Sequence, residues 1–147
     1  MKGNGVYPVL DNEFSIGING LDSTEEDMKI IKDMETFSPS FDMTVEEWTP
    51  MDTEGWMKRL ATGKALSIDF SGKRCIGDEG NDYVASLLAK LGKDVETKFK
   101  WTFPSGASVT MNCIVNVSNA GGGDSTNVAP LEFTVLSNGK PDFVEAL

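Results

Sequence analysis

Glu46 and Glu47 are adjacent carboxylates and the first candidates for acid–base chemistry. Glycosyl hydrolysis needs two carboxyl groups flanking one bond, about 5 to 9.5 Å apart. Both residues fall in a segment with strand-like alternation, where neighbours point to opposite faces. They therefore cannot flank one substrate. Asp78-Glu79-Gly80-Asn81-Asp82 is an acidic run that could suggest calcium. Calcium loops need acids at alternate positions before the glycine, and this run lacks that spacing. Its short polar residues read instead as a helix entry that caps free amides. The glycines of Ala120-Gly121-Gly122-Gly123-Asp124 are not followed by Lys-Ser/Thr or by a helix pattern, as a phosphate cradle requires. Lys90, Lys93, Lys98 and Lys100 stand beside Trp101 and Phe103 in sequence, with Lys73 and Arg74 upstream. Basic charge plus aromatic stacking is how single-stranded nucleic acid is held. Alternation places these lysines and aromatics on opposite faces, so the aromatics are assigned to the core. Cys75 and Cys113 fit no metal spacing and read as two thiols. The chain has no histidine. Ser-His-Asp and Cys-His nucleophilic systems and the commonest neutral-pH base are thus excluded. The expectation is no catalysis, no cofactor and no metal.

The elements that would position these residues are mostly strands. Phe14, Ile16 and Ile18 alternate before an Asn19-Gly20 turn signal. Phe41, Met43 and Val45 alternate against Asp42, Thr44 and Glu46; Leu66, Ile68 and Phe70 alternate against Ser67, Asp69 and Ser71. Phe99, Trp101 and Phe103 form another run, and Pro104-Ser105-Gly106 offers a hairpin turn into Val109, Met111, Cys113, Val115 and Val117. Leu131, Phe133 and Val135 make the last run before Asn138-Gly139. Residues 81–91 predict a helix, with Val84, Leu87, Leu88 and Leu91 on one stripe and Asn81 as cap. A shorter helix is predicted over 53–60, capped by Asp52 or Thr53, although Gly55 weakens it. Residues 21–36 read as an acidic loop leading to a strand through Ile30 and Ile31, and 119–127 as a flexible loop. Together these give one α+β, mainly β domain over 1–147: a β-sandwich or partial barrel with one flanking helix.

The 147 residues are enough for one domain with its own core. No apolar run reaches the ~20 residues of a membrane span, and residues 1–10 lack a signal-peptide core. Folding in the cytoplasm of the producing cell is therefore expected. The formal net charge is −10, carried unevenly: residues 1–57 hold 13 acids and three lysines, residues 58–100 nine bases and six acids. An acidic chain does not hold nucleic acid through counterion release. Solubility alone accounts for such a charge.

The stretches FSPSFDMTVEEW, TEGWMKRLATGK, LSIDFSGKR, GDEGNDYVA, KFKWTFPSG and GGGDSTNVAPLEFTVLSNGKP occur in that order between residues 37 and 142. In this series the chain resembles the tail tube (major tail) protein family of long-tailed bacteriophages, of the type common in Gram-positive phages and prophages. The resemblance implies packed β-sheets with a flanking helix, and six subunits closing a ring. Rings would stack into a hollow tube that conducts DNA from capsid to host without specific binding. It further implies contact with tape measure, terminator and baseplate or initiator proteins, no membrane, and a place in the virion tail after synthesis in the host cytoplasm. Polar residues of the strands then become candidates for the lumen: Asp42, Thr44, Glu46, Ser67, Asp69, Thr110, Asn112 and Asn116. Asp22, Glu25, Glu26, Asp27, Gly122, Gly123 and Asp124 become candidates for contacts between rings. The acidic first third and basic middle would supply unlike stacking faces.

Other readings remain open at this stage. Related tubes occur in contractile phage-like particles and bacteriocins. An immunoglobulin-like monomer binding glycan or protein through loops 21–29 or 119–127 also fits alternating strands. A carboxylate hydrolase built on Glu46, Glu47 and Asp69 is disfavoured by the missing histidine and the failed pairing.

Overall fold

The computed structural model describes residues 5–145. Eight antiparallel strands form one sheet: β1 Glu13–Gly17, β2 Met28–Ile30, β3 Met34–Trp48, β4 Lys58–Lys73, β5 Glu96–Thr102, β6 Ser108–Ala120, β7 Pro130–Ser137 and β8 Asp142–Val144. Their order is β2-β1-β5-β6-β7-β4-β3, with β8 beside the start of β6. The single α-helix among the described residues, α1, spans Glu79–Ser86.

The period-two pattern decides which face is buried. Leu66, Ile68 and Phe70 of β4, Phe99 and Trp101 of β5, alternate residues Val109 to Val117 of β6, and Leu131, Phe133 and Val135 of β7 all point inward. The sheet then curls on itself. Phe14 of β1 meets Phe37 of β3 with ring centroids 4.7 Å apart, although these strands lie near opposite ends of the strand order. Phe70 stacks on Phe133 at 4.9 Å and meets Phe99 edge-on at 5.6 Å. Edge-to-face and offset geometries such as these each add about 0.5–1.5 kcal/mol beyond area burial. Of the two expected forms, sandwich and partial barrel, the second is the one formed, and the barrel is not closed. Its seam is bridged by the link from β2 to β3: Ile31 N–H donates to Phe14 O at 3.0 Å, and Lys73 N–H donates to Asp33 O at 2.8 Å.

The predicted helix 81–91 is displaced and shortened. Asp78, not Asn81, caps it, accepting from Asn81 N–H at 3.0 Å. Asn81 is fully buried. Its amide donates to Lys32 O and Lys73 O at 3.0 Å each, and its Oδ1 accepts from Cys75 N–H at 3.0 Å and from Arg74 at 2.9 Å. One side chain thereby ties the barrel seam to the helix entry. Gly80 is needed there, because a Cβ would sit 2.5 Å from Ile30 O. Val84 and Leu87 enter the core. Past Ser86 the chain tightens, with Leu87 N–H donating to Val84 O and Leu88 N–H to Ala85 O, and this leaves Leu88 and Leu91 exposed.

The predicted helix 53–60 is absent. Met51–Thr53 make one 3-10 turn, Glu54 and Gly55 take positive φ of 55° and 88°, and Lys58–Leu60 pair with Trp48–Glu46 as the start of β4. Positive φ in two successive residues breaks a helix and suits a hairpin. The acidic segment 21–36 holds two 3-10 turns, then β2 and the first residues of β3. It is closely hydrogen-bonded: buried Ser23 donates to Gly20 O at 2.7 Å and accepts from Asn19 N–H at 3.0 Å.

Candidate assembly interface

Strand length distinguishes β3 and β4 from the rest. They have 15 and 16 residues, against a usual ~5–6. β4 pairs with β7 only over Ser67–Lys73, so Lys58–Leu66 pair with β3 alone. The excess forms a two-stranded arm, Phe41–Trp48 against Lys58–Leu66, with the bend 49–57 at its tip. A bulge at Thr44/Val45 interrupts its register.

The register fixes the two faces of the arm. Phe41, Met43 and Val45 continue the row that is buried further along as Leu66, Ile68 and Phe70, yet all three are exposed. At the tip Met51, Trp56 and Leu60 are 104%, 78% and 58% exposed, with Trp48 and Met57 also open. Isolated two-stranded ribbons are at best marginally stable in water. Long apolar edges with free N–H and C=O groups are templates for pairing. At the arm's root lies a groove of about 500 Å³ lined by Phe41, Lys64, Leu66, Lys140, Pro141 and Phe143, among others.

The eight candidate lumen residues do share one face, the one opposite the core. Ser40 opposes Ser67, and Asp42 opposes Ala65. Asn116 opposes Thr134, which opposes Asp69 and donates to its carboxylate at 2.7 Å. Thr44 and Glu46 extend this face along the arm, and Thr110 and Asn112 extend it across β6. Sequence reasoning omitted Lys98 and Lys100, which stand opposite Asn112 and Thr110 on the same face. Glu96 and Glu132 also lie there, so acids outnumber bases. Glu46 and Glu47 do not converge: Glu47 pairs with Arg59 at 3.2 Å, while Glu46 opposes Leu60.

The candidate ring-contact residues occupy one end of the sheet. β1 and β6 run parallel in this antiparallel order, so the turns that follow them, 18–27 and 121–129, leave in the same direction. The arm tip precedes β4, which also runs parallel to β6, and so lies at the opposite end. Asp22, Glu25 and Glu26 are exposed. Asp27 is turned back, accepting from Thr24 N–H at 3.0 Å. Gly122 N–H donates to the Asn119 carboxamide at 2.8 Å; Gly123 and Asp124 are exposed.

The expected segregation of acidic and basic faces is not present. Lys73 pairs with Glu35 and Arg74 with Asp82, each at 2.8 Å, while Lys58, Arg59 and Lys64 are on the arm and Lys98 and Lys100 on the open face. Both thiols are held above their ordinary range. Burial pushes Cys113 up to about 12, and a hydrogen bond from its thiol to Asp33 raises Cys75. The missed features are the arm, its tip and the root groove. Their one legible signal was the apolar alternation at 41–45.

A curled, open eight-stranded sheet with one helix and a long bare ribbon defines the structural class. No family model matches the chain, and no curated protein matches it. Solved structures share its fold. One is a chain from the tail of an empty gene transfer agent particle determined with helical refinement and C6 symmetry: TM-score 0.76 at 16% identity, over 95% of this chain and 100% of that one. A chain from the virion of a native gene transfer agent particle gives 0.70 at 15%, with the same coverage. The tube-terminating cap of the anti-feeding prophage gives 0.63 at 12%, over 99% of this chain and 95% of that one.

Proposed function

We propose that the protein is a structural, non-catalytic subunit of a phage-type tail tube. Copies join side by side as a hexameric ring, and rings stack into a hollow tube that conducts DNA. The observation that carries this reading is the arm: a ribbon whose apolar row and free edges have no cover among the described residues. The full-length likeness in fold to a chain of a C6-symmetric tail supports it. Asp42, Thr44, Glu46, Ser67, Asp69, Thr110, Asn112 and Asn116 face the lumen on this reading. The excess of acid on that face repels phosphate and keeps DNA moving. Turns 18–27 and 121–129 contact the neighbouring ring on this reading. The tape measure, terminator and baseplate or initiator proteins are its partners, and the virion tail of a phage or prophage of Gram-positive type is its location.

Sedimentation and negative-stain electron microscopy of the purified chain test this. Six-membered rings or tubes are expected at high concentration. A chain that stays monomeric at every concentration overturns the proposal. A second reading, a ring that terminates a tube, is favoured by the likeness to the anti-feeding prophage cap. It predicts single rings that never polymerise.

A further inference from the structure

We infer that the arm tip of one copy, Trp56 with Met57, seats in the groove at the root of the next copy's arm. This rests on the tube-subunit reading above and specifies the contact that makes it propagate. The groove has an apolar floor of Phe41, Leu66, Pro141 and Phe143, with Lys64 and Lys140 beside it. Its ~500 Å³ lies within the about 300–1,000 Å³ that compact ligands fill, enough for an indole and a thioether. The tip presents the complementary pattern: Met51, Trp56 and Met57 exposed, flanked by Asp52 and Glu54. None of Lys64, Lys140, Asp52 and Glu54 makes an ion pair among the described residues.

The occupant comes from another chain. Phe41 to Trp48 is paired as extended ribbon, which at ~3.3 Å per residue holds the tip about 23 Å from its own groove. Tip and groove are different patches, so the contact is heterologous: it leaves a free tip and a free groove at every step and closes a ring or builds a tube. A buried aromatic in a pocket rimmed by charge is the usual form of an interface anchor.

The test uses the full chain with p-benzoylphenylalanine replacing Trp56, irradiated under assembly conditions and mapped by mass spectrometry. Intermolecular cross-links to residues 64–66 or 139–143, in species larger than a dimer, are expected. Cross-links elsewhere, or a closed dimer with reciprocal links, overturn the inference. In parallel, Trp56→Ala should raise the concentration needed for assembly by roughly thirtyfold. Lys140→Glu should raise it by roughly tenfold, and Lys140→Glu with Glu54→Lys should recover most of that. Failure of recovery also counts against the contact. Unimpaired tubes from Trp56→Ala sink the tip–groove contact and leave the tube subunit standing, whereas a monomeric native chain sinks both.

Discussion

β4 passes through two environments along its 16 residues. From Ser67 to Lys73 it lies between β3 and β7, and Ile68 and Phe70 are buried. From Lys58 to Ala65 it has one neighbour and no cover, and the facing row Phe41, Met43 and Val45 lies open. The apolar row Phe41, Met43 and Val45 of β3 alternates as Leu66, Ile68 and Phe70 do. Burial follows from whether a further layer is present, and for the arm no element among the described residues supplies one. The body is complete, and the ribbon beside it is not.

The largest expected effect comes from deleting the ribbon. Replacing residues 42–63 with a short glycine turn should abolish assembly in sedimentation and microscopy while keeping cooperative unfolding. Loss of the monomer fold instead would break the comparison, since the arm would then belong to the body. Next comes core truncation. Phe133→Ala, in the fully buried cluster, should cost the monomer about 3–5 kcal/mol in urea unfolding. Val45→Ala in the arm should stay within about 0.5 kcal/mol; similar losses at both would erase the distinction. Asn81→Ala strips partners from two carbonyls, a backbone amide and Arg74, and should cost about 1–3 kcal/mol by leaving buried groups unpaired. Smallest is Arg59→Ala, which removes an exposed pair with Glu47 and should change monomer stability by less than about 1 kcal/mol.

The thiols give a pH test of the body. Cys113 titrates at about 12 when folded, against an ordinary value of 9.0. The unfolded chain loses this proton first as pH rises, so stability is present below pH 9 and declines between pH 9 and about 12. Alkylation of Cys113 should accordingly require unfolding. Rapid labelling of the native protein would show that the core at β6 opens.

The composition and the period-two rhythm determined by themselves that the chain is mainly β, which residues of β4 to β7 face inward, and that no histidine-based chemistry is available, because side-chain direction on a strand follows sequence parity. The face shared by Asp42, Ser67, Asp69 and Asn116 followed from that same parity. Asp52 and Thr53 carry a local cap signal that predicts a helix over 53–60. Only the tertiary pairing of Lys58–Leu60 with Trp48–Glu46, across backbone that Glu54 and Gly55 turn to positive φ, made that stretch a hairpin tip. Asn81 was read as a cap from its neighbours, but its actual role depends on carbonyls of Lys32 and Lys73 brought to it from elsewhere in the chain. Which apolar rows end up covered was likewise decided by tertiary structure, since a strand's pattern encodes a face to bury but not whether a neighbour will be there to bury it.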